Sequence, residues 1–197
     1  MARLASVIEH EKPLDLLGAR VAMSVDLQSL RQTLADMQLA LERDWQSEHV
    51  STILDATLSR LRAEVPQQPK LFKYYDPLPP IDCLPGPLSQ VFMTVLLNAM
   101  QSLQSTRELS IFTQRLDVDT VQIVIVDSGC GMTAAQVNRL FEPDLSPTPP
   151  NRIRGLGLWL ADNIVKHHQG RIEVSSEPGT GTRVCITLPI KRWPGGG

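Results

Sequence analysis

Val121-Gln122-Ile123-Val124-Ile125-Val126-Asp127-Ser128-Gly129-Cys130-Gly131-Met132 runs from a β-branched apolar segment straight into a loop spaced by glycines. Such a run is expected to be a buried strand that delivers Asp127 to a site at its end. A carboxylate there can accept a hydrogen bond from an exocyclic amine such as that of adenine. Gly129 and Gly131, lacking Cβ, let the backbone turn and come close to a flat ring. Further along, Gly155-Leu156-Gly157-Leu158 opens a helical pattern that continues through Leu160, Ile164 and Val165. Glycines at a helix start leave N–H groups free to face an anion, and the helix dipole favours negative charge there. The two motifs together meet the needs of a ring and a phosphate chain. Each alone is weak, since both patterns also occur in loops that bind nothing.

Their order with three further segments adds the weight. Gln90-Val91-Phe92-Met93-Thr94-Val95-Leu96-Leu97-Asn98-Ala99-Met100-Gln101 precedes them and Phe141-Glu142-Pro143 stands between them. Glu177-Pro178-Gly179-Thr180-Gly181-Thr182, with a strand ending Leu188-Pro189, follows them. From Leu84 to Pro189 the chain thereby resembles the ATP-binding domain of sensor histidine kinases, the family that shares its nucleotide fold with gyrase, Hsp90 and MutL. The segments are similar, in the family's order, to its N box, first glycine box, F box, second glycine box and closing element. The resemblance implies ATP and Mg²⁺ as cofactors. It implies that Asp127 recognises adenine in a pocket shaped by Gly129 and Gly131, and that Asn98 holds Mg²⁺ through its side-chain oxygen. Gly155, Leu156, Gly157 and Leu158 would cradle phosphates, and Thr182 of the closing element belongs to the same binding set. An amide in so apolar a helix as that of Asn98 is otherwise expected to need a partner, because burying it unpaired is unfavourable.

Two departures from the family pattern bear on the chemistry. Thr94 stands one helical turn before Asn98, where the hydrolysing relatives carry a water-activating Glu. A hydroxyl that does not ionise near neutral pH is a poor general base, so water activation by this helix is not expected. After Phe141-Glu142-Pro143 the chain reads Asp144-Leu145-Ser146-Pro147-Thr148-Pro149-Pro150, without the lysine the family often has there, and Ile153 replaces a glycine. Arg152 and Arg154 are the natural substitutes for the missing cation, since guanidinium pairs well with phosphate. The prolines stiffen this lid.

Composition agrees with a folded enzyme domain. A chain of 197 residues, 42% of them apolar, has room for one full core plus an appended element. The formal net charge of −2 argues against nucleic acid as the main partner. No segment approaches the ~20 apolar residues of a membrane helix. Glu9, His10, Glu11 and Lys12 fall where a signal peptide would be apolar, so a cytoplasmic location is expected. Cys83, Cys130 and Cys185 are widely spaced and odd in number, which suits reduced thiols better than a disulfide framework or a zinc site.

Upstream, the residues from Ala19 to Glu64 include neither Gly nor Pro. Leu27, Leu30, Leu34, Met37 and Leu41 form one apolar stripe, and Val50, Ile53, Leu54, Leu58 and Leu61 form another. Asp44-Trp45-Gln46-Ser47 lies between them, with Ser47 placed to cap the second helix. Two such helices make a hairpin whose apolar surface a second copy would bury in a four-helix bundle. The arrangement is similar to the dimerisation and phosphoacceptor hairpin of histidine kinases, with Ile53 to Leu61 as the end of its second helix. An ordinary helical pair packing on its own domain is the alternative. His10-Glu11-Lys12-Pro13-Leu14 resembles the family's acceptor box but is two residues shorter between His and Pro. That shortening turns His10 by about half a turn relative to Pro13, at ~100° per residue. His10 is the candidate phosphoacceptor. The neighbours of His49 match nothing, and His167 and His168 suit a helix C-terminus.

A proline-rich shift from Pro66 to Pro87 encloses a strand at Leu71 to Tyr75 and places the domain boundary at Val65. A helix is expected from Leu88 to Leu103, strands over Arg107 to Leu116 and Thr120 to Val126, and a short helix over Ala134 to Leu140. The last two strands fall over Arg171 to Ser175 and Arg183 to Leu188. The expected architecture is an α/β sandwich with a mixed sheet covered by helices on one face, preceded by an α-helical hairpin. Residues 1–65 would be the hairpin, 66–192 the ATP-binding domain and 193–197 a flexible tail.

The reaction implied by the resemblance is transfer of the ATP γ-phosphoryl to a histidine and onward to an aspartate on a response-regulator receiver domain. The protein would act as a homodimer through its N-terminal helices. Two other readings stay open. A non-catalytic dimeric scaffold with a degenerate ATP site is favoured by the altered lid, Thr94 and the short His10 box. A serine kinase of the anti-sigma-factor type needs the fold but no acceptor histidine of its own.

Overall fold

The described elements run, in chain order, β1 (Gln46–Glu48), α1 (Val50–Glu64), β2 (Lys70–Tyr75), β3 (Ile81–Cys83), α2 (Pro85–Ser102), β4 (Glu108–Arg115), β5 (Thr120–Asp127), α3 (Ala134–Asn138), α4 (Leu156–His167), β6 (Arg171–Glu177) and β7 (Gly181–Pro189). The computed structural model describes residues 45–64, 69–103, 108–142 and 156–192. The expected first helix of the hairpin, His10, Arg152, Arg154, Gly155 and the tail at 193–197 lie outside these residues.

Five strands form a mixed sheet in the order β2-β4-β5-β7-β6, with β2 parallel to β4 and every other pair antiparallel. The register puts Leu109, Ile111 and Thr113 of β4 level with Asp127, Ile125 and Ile123 of β5, and these last with Thr182, Val184 and Ile186 of β7. These residues share one face by the two-residue period of a strand, and on that face the helices pack. The other face carries Phe72, Tyr74 and Phe112, with Tyr74 stacked on Phe112 at 4.8 Å between ring centroids.

Helix α2 is the spine of the helical layer. Leu88, Val91, Phe92, Val95, Leu96 and Ala99 recur at spacings of three and four, and all are buried. Pro85 sits in its first turn, where the missing N–H is no loss. The N–H of Leu84, at the cap position, is met by Nε2 of His168 at 3.0 Å, since no side chain of its own caps the helix.

Helix α1 packs on α2 within the same compact unit, which begins at Asp44. Its apolar stripe Val50, Ile53, Leu54, Leu58 and Leu61 is buried, and the Thr57 hydroxyl meets Ser89 of α2 at 2.9 Å. On its exposed side Asp55 takes Lys73 of β2 at 2.7 Å. The helix expected as the second of the hairpin thus packs on the domain that follows it, in a unit that begins at Asp44, while the first helix lies outside the described residues. Ser47, expected as the cap of α1, instead belongs to β1, which pairs antiparallel with β3, Ser47 opposite Asp82. Ahead of β1, Trp45 lies under Arg192 at 4.5 Å and against His168 at 5.0 Å between ring centroids, so the first described residue is clamped to the last.

Candidate functional site

Asp127 is the last residue of β5 and is 5% exposed. Its Oδ1 accepts two hydrogen bonds, from the N–H of Gly129 at 2.8 Å and from the hydroxyl of Ser102 at 2.9 Å. No donor among the described residues meets Oδ2. The carboxylate is therefore one-sided: one oxygen is held by the protein and the other remains an acceptor.

The loop after Asp127 is stitched on both sides. The N–H of Cys130 donates to the Ser102 carbonyl at 3.1 Å, that of Gly179 to the Cys130 carbonyl at 2.7 Å, and that of Met132 to the Ser176 hydroxyl at 2.9 Å. Gly131 takes φ +65°, and a Cβ there would run into the carbonyl of Glu177. At Gly181, with φ +113°, a Cβ would strike the carbonyl of Asp127. The loop and the β6–β7 turn thus nest against each other backbone to backbone, with no room for a side chain at either place.

A cleft of about 1000 Å³ opens beside this loop. Asp127, Thr182, Val184 and Val174 form its sheet side, Thr94, Asn98 and Ser102 come from α2, and Gly157 and Leu158 from the start of α4. Thr182 stands directly opposite Asp127 in the β5–β7 ladder, its hydroxyl 3.0 Å from that of Ser176. Gly157 lies in the first turn of α4, where backbone N–H groups lack intrahelical partners, and a Cβ on it would come within 3.1 Å of Thr94. A smaller cavity of about 180 Å³, lined by Leu58, Arg62, Pro69, Leu71 and Met100, lies apart from this loop and presents mostly apolar groups.

Of the expected site residues, the structure brings Asn98, Asp127, Gly131, Gly157, Leu158 and Thr182 to one cleft. Gly129 is buried beneath it against Ser102. Leu156 begins α4, while Gly155, Arg152 and Arg154 fall outside the described residues. Asn98 differs from expectation in one respect. It is exposed, so no burial penalty calls for a partner; α2 turns its apolar stripe inward and leaves the amide facing the cleft.

Two features were not anticipated. Ser102, one turn beyond Asn98 on the same helix, reaches Asp127, and that spacing of four was visible in the sequence. Ser176 has no local signal, since its role arises from the pairing of β6 with β7. Cys130 is an exposed thiol on the cleft, whereas Cys83 is buried and has its pKa raised to about 11 by burial and by Glu48 and Asp82.

Among the described residues, no group of three or more His, Cys, Asp or Glu side chains is arranged to hold a metal ion. An exposed amide such as that of Asn98 on the cleft suits an ion held chiefly by ligand oxygens and water, as Mg²⁺ is held with phosphates. No helix among the described residues is long and apolar enough to cross a membrane.

Residues 84–192 match the protein family described as Histidine kinase-, DNA gyrase B-, and HSP90-like ATPase. The chain is 37% identical over 153 residues to Sporulation kinase E of Bacillus subtilis, covering 75% of this chain and 20% of that protein. It is 30% identical over 173 residues to the sensory histidine kinase/phosphatase NtrB of Proteus hauseri, covering 81% of this chain and 49% of that one. The chain therefore spans half or less of the length of these relatives. In fold it is similar to the mycobacterial sensor histidine kinase MprB (TM-score 0.65, 21% identity, 76% of this chain and 100% of that chain). The catalytic domain of histidine kinase ThkA is similar in the same way (TM-score 0.65, 14% identity, 76% and 97%).

Proposed function

This chain belongs to the histidine kinase-, DNA gyrase B- and HSP90-like ATPase family, and from that membership we propose that it is the nucleotide-binding, phosphoryl-transferring part of a two-component histidine kinase. The observation that carries the proposal is the one-sided carboxylate of Asp127, set in a cleft that also receives Asn98 and the start of α4. Adenine would lie against the Gly131 loop with its amine on Oδ2 of Asp127, and Thr182 would stand beside that contact. The phosphates would extend toward Asn98 and the N–H groups of Gly157 and Leu158, where the helix dipole favours them. Mg²⁺, when bound by the phosphates and the Asn98 amide oxygen, supplies neutralisation of the triphosphate charge. Arg152 and Arg154 are the cations proposed for the lid.

The transfer breaks the bond from the γ-phosphorus to its bridging oxygen, forms a phosphorus–nitrogen bond to histidine and releases ADP. A receiver-domain aspartate on a response regulator would then take the phosphoryl group. His10 is the acceptor proposed within this chain, on its sequence context alone, and a homodimer formed through the N-terminal helices is proposed with it. The cleft residues contribute by positioning and electrostatics, the terms that dominate phosphoryl transfer. With Thr94 in place of an acid, the α2 helix offers no base to activate water.

Calorimetry with Mg-ATP tests the binding reading. Asp127→Asn is expected to weaken ATP by about 10- to 100-fold, the effect of losing a charge-assisted hydrogen bond. A γ-labelled assay read for acid-labile product then tests transfer. Label abolished by His10→Ala supports the kinase with its own acceptor, and label that persists points to another acceptor. ATP binding without label supports the scaffold reading. No binding at millimolar ATP would sink the nucleotide proposal.

A further inference from the structure

We propose that Ser102 is a positioning residue that makes this site selective for 6-aminopurine nucleotides; the inference rests on the adenine-recognition role proposed for Asp127. A carboxylate has two equivalent oxygens and turns about its last side-chain bond, so by itself it presents no fixed acceptor direction. Here Oδ1 is held from two sides. Gly129 N–H comes from the loop that follows the carboxylate, and Ser102 Oγ comes from the last turn of α2. Two donors on one oxygen fix the plane of the group and leave Oδ2 as its outward acceptor.

The hydroxyl of Ser102 lies 2.8 Å from the Ala99 carbonyl and 2.9 Å from Asp127 Oδ1, a three-centre arrangement for a single proton. The charged oxygen is the stronger acceptor of the two and draws the larger share. Gly129 and Ser102 form a matched pair, because a Cβ at 129 would occupy the space of the Ser102 hydroxyl. The Ser102 carbonyl, by accepting from Cys130 N–H at 3.1 Å, ties the same loop a second time. Ser102 also stands one helical turn after Asn98, so one rigid helix sets the distance between the group that orients the base-reading carboxylate and the amide on the phosphate side.

The test compares binding of Mg-ATP and of the Mg complex of purine riboside triphosphate, which lacks the 6-amine, to the whole chain. Ser102→Ala is expected to lower the ratio of the two affinities by about tenfold, the effect of one misdirected charge-assisted hydrogen bond. Ser102→Thr, which keeps the hydroxyl, is expected to restore it. Damage to the fold would weaken both nucleotides alike and leave their ratio unchanged, and an unchanged ratio in Ser102→Ala overturns the inference. Should that variant not fold, Ser102→Cys, close in size with only a weak donor, is read the same way. Asp127→Asn separates the two levels of the argument. If it leaves ATP affinity unaltered, the adenine reading itself falls; if it collapses the ratio while the Ser102 variants do not, only the role of Ser102 falls.

Discussion

Gly131 shows how much of the site depends on a single absent methyl group. With φ at +65° and the Glu177 carbonyl in the way of any Cβ, Gly131→Ala meets both a backbone and a steric penalty. The left-handed backbone costs about 1–2 kcal/mol and displacing the carbonyl roughly 1–3 more. Denaturant unfolding is expected to show a loss of that combined size. A change within half a kcal/mol would mean that the loop and turn are not in contact. The cysteines give a second prediction at this scale. Cys130 is exposed on the cleft, while Cys83 is buried with its pKa raised to about 11, so an alkylating reagent at pH 8 is expected to label Cys130 and spare Cys83. Mg-ATP should slow the labelling of Cys130. Labelling unaffected by saturating nucleotide would place the ligand elsewhere. Both glycines of the Asp127 loop were legible in the sequence because φ and close approach select for glycine. The exposure of Asn98 was not, because which way a polar residue faces depends on what packs against the rest of its helix.

At the scale of elements, the joint between α4 and α2 is made by His168. Its Nε2 accepts from the Leu84 N–H, which assigns the proton to Nδ1, 2.7 Å from the Ile164 carbonyl. Burial lowers its pKa from 6.5 to about 4, opposed by the bond to Ile164 and reinforced by neighbouring His167. The ring is thus neutral at pH 7, and a favourable cation–dipole contact, the sequence-based reason for a histidine here, is not what holds it. The sign follows from linkage. Between pH 6.5 and about 4 the unfolded chain binds the proton and the folded one does not, so this contribution is complete above 6.5 and is lost as pH falls. The loss amounts to roughly 3 kcal/mol across the window. Unfolding measured at pH 7 and pH 4.5 is expected to show His168→Gln less stable than wild type at the higher pH and nearly equal at the lower. A gap that stays constant with pH would contradict a buried neutral ring. The helix itself ends in a left-handed residue, Gln169 at φ 58°, with Gly170 N–H returning to the Val165 carbonyl and Gln169 N–H to that of Lys166. That closure normally falls to glycine, and because glutamine takes the left-handed place here, Gln169-Gly170 is the sharpest stop signal this stretch carries.

For the whole molecule, the decisive packing is that of α1 on α2. Five buried apolar side chains of α1, at about 1.5–3 kcal/mol each, sum to the order of 10 kcal/mol, as large as the entire stability of a typical domain. A chain starting at residue 66 is therefore expected to be unfolded or aggregated, and one starting at residue 44 to unfold cooperatively; circular dichroism melts of the two distinguish them. A stable domain from residue 66 would support the boundary expected at Val65. The sheet strands, the spine helix and the Asp127 and Gly157 motifs were legible in the residues alone, because strand and helix periods, β-branching and glycine requirements are local and leave their mark residue by residue. That the helix of Val50 to Glu64 belongs to this unit, that Gln46–Glu48 is a strand, and that Ser102 reaches Asp127 emerges from the packed chain instead. An apolar stripe states that a face is buried but not against what, a three-residue strand is too short to show a period, and a hydrogen bond between residues far apart in sequence exists only once the sheet and the helix have been brought together.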